Sequence, residues 1–150
     1  MEELSHVDGA GAARMVDVSG KPRVRRTAKA AGRVDMSPAT VLLVRRNALQ
    51  KGDVLAAARI AGIMGAKRAS ELIPLCHNIE IEQIAVELSV DDLGVAIEAT
   101  ALCTDKTGIE MEALTAVSIA ALTVYDMCKA VDKGMVLRDI RLIEKTKKGA

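Results

Sequence analysis

Aromatic side chains are almost absent from this 150-residue chain, which has one tyrosine and no phenylalanine or tryptophan. Domains that bind RNA commonly stack bases on aromatic rings, and a formal net charge of +1 offers no general attraction to polyanions. A nucleic-acid-binding module is therefore disfavoured. Because 50% of the residues are hydrophobic, the chain can still bury a substantial core, and that core must be aliphatic.

Cysteine is scarce too, with three residues that lie far apart and form no C-x-x-C pair. This spacing argues against a disulfide framework and against a zinc site, and it favours a reducing compartment. The N-terminal segment contains Glu2 and Glu3 and lacks the apolar stretch of a secretory signal. We therefore expect a cytoplasmic protein without a metal site.

The common catalytic and nucleotide-binding motifs are missing as well. The chain has no Walker loop, no G-x-G-x-x-G, no H-E-x-x-H and no nucleophile elbow. Its polar residues stand instead at the ends of apolar segments, and a functional site is expected at these ends.

The segment 107–131 is charged at both ends and has no formal charge between Glu112 and Asp126. That run is shorter than the roughly 20 residues of a membrane span, so it predicts a buried helix and no membrane anchor. Thr107 and Glu110 have the T-x-x-E spacing of a capping box. Because a helix rises ~1.5 Å per residue, Glu112 and Asp126 would lie ~21 Å apart. If both ends take part in chemistry, two antiparallel copies of the helix would each lend one end to a shared site.

The order of apolar patterns predicts an α+β fold, a ferredoxin-like split β-α-β sandwich with an additional helix in the first crossover. A phase shift near Gln83 predicts a bulge in the second strand. Residues 1–21 are expected to form a flexible N-terminal arm, 22–146 a single domain and 147–150 a tail. The predicted elements are a strand at 23–35, helices at 37–49, 54–66 and 68–73, strands at 79–90 and 95–103, the buried helix, and a strand at 136–145.

Lys51 stands with Gly52 and Asp53 at the corner between two predicted helices. These residues suit a purely structural corner, in which Gly52 ends one helix and Asp53 caps the next. The same corner would also let the Lys51 ammonium meet a phosphate or transfer a proton. His77 follows an apolar loop and is either a hydrogen-bonded structural residue or an acid–base group.

Charged residues mark both ends of the buried helix. Glu110 is explained as a capping partner, whereas Glu112 is a candidate acceptor for the N–H groups of a purine edge. Met111 could cover the face of a ring or belong to the core. Asp126 and Lys129 form either an ordinary surface pair or, if their apolar neighbours desolvate them, an acid–base dyad. Five further basic side chains could hold phosphates or be solvated: Arg23, Arg25, Arg26, Lys67 and Arg68.

Six separated motifs closely resemble the molybdenum cofactor biosynthesis protein C family, over about residues 15 to 143. One departure is Asn78, because the family usually has proline after this histidine, and a proline would stiffen the loop. The motifs are MVDVS at 15–19, KGDV at 51–54, ARIAGIMGAKR at 58–68, LIPLCH at 72–77, KTGIEMEALTA at 106–116 and YDMCKAV at 125–131.

The resemblance implies a ferredoxin-like fold and a homohexamer, a trimer of dimers with active sites at subunit interfaces. It makes residues 22–146 the catalytic domain of a lyase of molybdenum cofactor biosynthesis. Family members convert (8S)-3',8-cyclo-7,8-dihydroguanosine 5'-triphosphate to cyclic pyranopterin monophosphate and release diphosphate. By motif, the catalytic residues would be Asp126, Lys129 and Lys51, and the substrate-binding residues would be Leu75, Cys76, His77, Glu110, Met111, Glu112 and Lys67.

No cofactor is implied, and the residues leave open whether Mg²⁺ accompanies the triphosphate. An alternative interpretation of the same residues is a non-catalytic purine-nucleotide-binding regulatory hexamer. Such a protein would have no need of Asp126 beside Lys129, so an acid–base set at this end of the helix favours the enzyme.

Overall fold

A computed structural model describes residues 6–149 as one antiparallel four-stranded sheet with helices on one face. The strand order β2-β3-β1-β4 and the antiparallel pairing confirm the predicted ferredoxin-like α+β fold. The elements are β1 (Val24–Asp35), α1 (Pro38–Arg45), α2 (Val54–Lys67), α3 (Ala69–Leu72), β2 (Gln83–Val90), β3 (Gly94–Asp105), α4 (Glu110–Cys128) and β4 (Val136–Lys148).

The core lies between the sheet and the helices, and it is aliphatic, as the composition predicts. Every second residue of β1 is buried, from Ala28 through Ala30 and Gly32 to Val34, so one face of the strand packs inward. The buried hydrophobic residues of the described chain are alanine, valine, isoleucine, cysteine and methionine. Small side chains let the helices lie close to the sheet.

Helix α4 is long and apolar enough to cross a membrane, with a mean hydropathy of 1.3. In this fold it packs against α2, β1 and β3, and nine of its residues are buried. It is therefore the core helix of the sandwich, as predicted. Gly62 of α2 permits the close approach, because a Cβ atom there would stand 2.9 Å from the carbonyl oxygen of Ala116.

Two helix starts are confirmed by their caps. The Ser37 side chain accepts a hydrogen bond from the Thr40 amide at the start of α1, and the Asp53 side chain accepts one from the Ala56 amide at the start of α2. The predicted end of the first helix at residue 49 is wrong. The helix ends at Arg45, because Asn47 adopts a left-handed conformation with φ of 52°.

The predicted start of the second strand at residue 79 and the bulge near Gln83 are also wrong. Strand β2 begins at Gln83 and pairs with β3 in one continuous register. Ile79 and Ile81 pack against the core from a segment that precedes the strand, which accounts for the change in their apolar phase. The irregular pairing occurs between β1 and β4, and β4 extends to Lys148.

Candidate active site

All of the sequence-predicted site residues except Lys67 lie in two groups, one at each end of α4. Lys51, Asp126 and Lys129 meet at the C-terminal end. Leu75, Cys76, His77, Glu110 and Met111 line a cavity at the N-terminal end. Glu112 is buried and does not line this cavity, but it contacts Cys76, which does. The two clusters are separated by most of the helix, about 21 Å between residues 112 and 126 at 1.5 Å per residue.

At the C-terminal end, two ammonium groups flank one carboxylate. Lys51 Nζ lies 2.9 Å from Asp126 Oδ2, and Lys129 Nζ lies 2.9 Å from Asp126 Oδ1. Lys51 also donates to the main-chain carbonyl of Asp126 at 3.0 Å. The corner at Gly52, whose φ is 97°, carries Lys51 back onto the end of α4. Asp53 caps α2 as the structural interpretation predicts, but Gly52 does not end a helix, because α1 already ends at Arg45. The functional role of Lys51 stays a prediction.

The electrostatics of this cluster differ from a desolvated dyad. The side chains of Asp126 and Lys129 are 56% and 55% exposed, so the predicted partial burial is wrong for the single chain. Hydrogen bonds from Lys129 and then from Lys51 lower the pKa of Asp126 below its ordinary value. The hydrogen bond between Lys129 and Asp126 also raises the pKa of Lys129. At neutral pH the carboxylate and the Lys129 ammonium are both charged, which suits the lysine to offsetting negative charge.

At the N-terminal end, the loop before β2 and the first turn of α4 enclose a cavity of about 500 Å³. Burial, and then the nearby Glu112 carboxylate, raise the pKa of Cys76 to about 11. Cys76 is thus a neutral thiol at physiological pH, and its Sγ lies 3.9 Å from Glu112 Oε1. A thiol held in this form is a polar contact and not a nucleophile.

Glu112 is the most unusual residue of this end. It is 2% exposed, and its Oε2 atom has no hydrogen-bond partner among residues 6–149. Burial raises the pKa of its carboxyl, and the neighbouring charge of Glu110 adds to the effect. A buried carboxyl oxygen without a partner is costly unless a ligand or a second chain supplies a donor.

Glu110 does not form the predicted capping box with Thr107. Helix α4 begins at Glu110 itself, the N-cap position is Ile109, and no side chain caps it. Glu110 pairs instead with Lys145 of β4, a contact between residues far apart in the sequence. Burial raises the pKa of the Glu110 carboxyl, but the hydrogen bond from Lys145, a hydrogen bond from its own main-chain amide and the charges of Lys145 and Arg26 together outweigh burial, so the pKa lies below its ordinary value.

Lys67 joins neither cluster. It lines a neighbouring depression of about 420 Å³ beside the start of β2, and Ile79 borders both this depression and the His77 cavity. The Arg26 guanidinium donates hydrogen bonds to the main-chain carbonyl oxygens of Asp105 and Lys106, and these bonds connect β1 to the end of β3. A structural role therefore accounts for Arg26.

Sequence reasoning missed several residues around the two clusters. Tyr125 and Lys133 line a cavity of about 450 Å³ beside Lys51 and Lys129. The helical spacing of Tyr125 and Lys129 was a usable signal, since residues four apart share a face. At the other end His6 and the main chain of Val16 approach the His77 cavity. No sequence signal marks a main-chain carbonyl.

Together, the fold and these clusters define a class of protein: a ferredoxin-like α+β domain with a lysine–carboxylate–lysine cluster suited to phosphate chemistry. The chain belongs to the MoaC family, whose profile matches residues 15–149. The predicted family resemblance is thereby confirmed.

Curated relatives cover nearly the whole chain. It is 61% identical over 145 residues to a cyclic pyranopterin monophosphate synthase of Streptomyces avermitilis, covering 97% of this chain and 85% of the relative. It is 59% identical over 147 residues to a protein of the same name from Chloroflexus aggregans, covering 97% and 89%. A molybdenum cofactor biosynthesis bifunctional protein of Chlorobaculum tepidum is 56% identical over 144 residues, 96% of this chain and 46% of that protein. These names support the enzyme over the regulatory alternative.

Proposed function

We propose that this chain is a cyclic pyranopterin monophosphate synthase, a lyase of molybdenum cofactor biosynthesis. Its substrate is (8S)-3',8-cyclo-7,8-dihydroguanosine 5'-triphosphate, and its products are cyclic pyranopterin monophosphate and diphosphate. The observation that carries the proposal is the contact of Lys51 and Lys129 with opposite oxygens of Asp126. The relatives' names supply the reaction.

The reaction makes clear demands on these groups. The imidazole part of the purine opens, the pyranopterin closes, and a substrate hydroxyl attacks the α-phosphate. The bond between that phosphorus and the leaving diphosphate breaks, so negative charge develops on the diphosphate. Lys51 and Lys129 would offset this charge, and either ammonium could protonate a leaving group.

Asp126 acts through its charge in this scheme. With its pKa lowered by two ammonium groups, the carboxylate is a weak base and a firm anchor. It holds Lys51 and Lys129 on either side of itself, so both nitrogens stand within one hydrogen-bond length of the same group. Asp126 is therefore a catalytic residue that orients the two cations.

The cavity at the other end of α4 would receive the base and part of the triphosphate. The unpartnered Oε2 of Glu112 would accept from the base edge, and Met111 lines the cavity. His77 would contact the triphosphate end. Lys67, whose depression shares Ile79 with this cavity, would serve the same ligand.

Since one ligand would not easily touch both ends of α4 in a single chain, we propose that each site combines two copies. The Lys–Asp–Lys end is open to solvent, so a second copy can cover it. Exposed apolar side chains of the helical layer, Ile60 and Met64 of α2 and Leu122 of α4, are available for such packing. The proposed assembly is a cytoplasmic homohexamer, a trimer of dimers.

The test is diphosphate release from the cyclised substrate. Lys51→Ala and Lys129→Ala should each lower kcat by about 10²–10³, the loss seen when a preorganised charge-stabilising donor is removed. The matched control is Lys147→Ala, which removes an exposed lysine of β4. Circular dichroism should show an unchanged fold in all three. Near-normal turnover by the double variant lacking both lysines would refute the proposed function.

A further inference from the structure

The segment before β1 lies against the His77 cavity and contacts the histidine directly. His77 Nε2 lies 2.6 Å from the main-chain carbonyl oxygen of Val16. A carbonyl oxygen only accepts hydrogen bonds, so Nε2 must carry the proton. Nδ1 has no hydrogen-bond partner within the described part of the chain.

This segment, residues 15–19, is held at its other end as well. Lys106, which precedes α4, donates from Nζ to the carbonyl oxygen of Ser19 at 2.8 Å. Asp17 Oδ1 accepts the Ser19 amide at 2.8 Å and closes a local turn. Val16 is only partly exposed, in a stretch whose neighbours are mostly exposed. Two long-range contacts, with His77 and with Lys106, therefore hold the segment in place.

The loop that carries His77 needs such a restraint. Residue 78 is asparagine and is exposed, so no proline ring fixes the backbone after the histidine. Among residues 6–149, the His77 imidazole makes one hydrogen bond, the one to the Val16 carbonyl oxygen. The ring orientation therefore depends on the segment 15–19.

Resting on the proposed function, we propose that residues 15–19 form a positioning strap for His77. By holding the proton on Nε2, the strap makes Nδ1 the nitrogen that meets the substrate. A neutral ring then accepts through Nδ1, and a protonated ring donates through Nδ1 to a phosphate oxygen. In either form Nε2 is unable to act as a base. Val16 and Lys106 act through His77 and are positioning residues.

The ring proton can be located without substrate. Solid-state nuclear magnetic resonance of the ¹⁵N-histidine-labelled protein distinguishes the two tautomers, and the signals lost in His77→Asn identify His77. We expect protonated Nε2 in the full chain. Removing residues 1–18 should introduce the tautomer with the proton on Nδ1, whereas removing residues 1–5 should leave the signals unchanged. An Nδ1 proton on neutral His77 in the full chain, or no response to the longer deletion, overturns the strap.

Kinetics provide the second readout. Deleting residues 1–18 should lower kcat/KM by about 2- to 10-fold, the range that one net hydrogen bond sets. The deletion should cost nothing further in His77→Asn, whose amide reaches the position of Nδ1 but not that of Nε2. An equal loss in both backgrounds would mean a merely structural segment and would overturn the proposal.

A smaller change guards against misfolding of the deleted chain. Lys106→Met removes the hydrogen bond to Ser19 without deleting or replacing Val16 or His77. The loosened segment should shift the tautomer ratio of His77 in the same direction as the deletion. Lys147→Met is its matched control and should shift nothing. If the tautomer results are as expected but the full chain releases no diphosphate, the proposed function is refuted, while the restraint of His77 by Val16 is supported. Normal turnover with unchanged tautomers refutes the strap alone.

Discussion

Replacing Glu112 by glutamine should make the protein more stable and less active. The Glu112 side chain is 2% exposed, and its Oε2 atom lacks a partner among the described residues. A buried polar group without a partner costs about 1–3 kcal/mol, and more when it is charged. Since glutamine keeps a polar atom at this position and removes only the charge, at similar volume, we expect a gain on the order of 1 kcal/mol in the free energy of unfolding at neutral pH. For a chain of this size, each kcal/mol raises Tm by about 2–4 °C.

The direction of the Glu112 pKa shift determines how the stability gained by Glu112→Gln changes with pH. Because the pKa of Glu112 is raised in the folded state, the folded protein binds this proton more tightly than the unfolded chain. The penalty is complete above the folded pKa and vanishes as the pH falls toward the ordinary value of 4.5. The stability advantage of Glu112→Gln should therefore be complete above the folded pKa of Glu112 and should shrink as the pH falls toward 4.5, where the two proteins converge.

The assay is urea denaturation at several pH values, with every protein at one concentration because assembly couples stability to concentration. Glu80→Gln is the matched control, since Glu80 is exposed. Its stability should follow that of the parent protein. If Glu112→Gln were less stable than the parent at neutral pH, the carboxylate would have to be compensated, and the reasoning from its missing partner would be refuted.

Two further predictions concern the β2–β3 turn. Gly94→Ala should destabilise the fold by more than about 2 kcal/mol, because φ is +151° and the new Cβ would stand 2.0 Å from the Val34 carbonyl oxygen. Thermal melts would show this loss, with Gly9→Ala as the control, and an unchanged Tm would contradict it. Arg33 pairs with Asp91 and lowers its pKa from 3.8 to about 2, so this stabilisation is complete above pH 3.8 and is lost as the pH falls toward 2. Arg33→Leu should flatten the acid limb of the stability profile by less than about 1 kcal/mol, since Asp91 is 48% exposed, and an identical acid limb would refute the contribution.

Local signals in the sequence were sufficient for much of the fold. Ser37 and Asp53 cap their helices as predicted because capping involves residues only three positions apart. The T-x-x-E pattern at Thr107 was misleading because a distant residue, Lys145, takes the Glu110 carboxylate. A pattern of four residues carries no information on which strand will lie beside it.

The candidate site shows the same division. The meeting of Lys51 with Asp126 joins residues 75 positions apart, and it followed from the family resemblance, not from spacing. The exposure of this cluster was not predictable, because apolar neighbours in sequence need not surround a side chain in space. The contact between His77 and the Val16 carbonyl was hidden for a different reason: every residue has a carbonyl, so its use leaves no mark in the sequence.

Complementation between subunits tests the central claim most directly, that each active site takes opposite ends of α4 from two copies. Glu112→Gln and Asp126→Ala proteins, each expected to have lost most of its activity, are unfolded, mixed in equal amounts and refolded together. Random pairing would restore one intact site in each mixed dimer, roughly a quarter of full activity. Diphosphate release at about that level is the predicted result. Activity no higher than the sum of the two separate variants would show that the ends of α4 do not combine across copies.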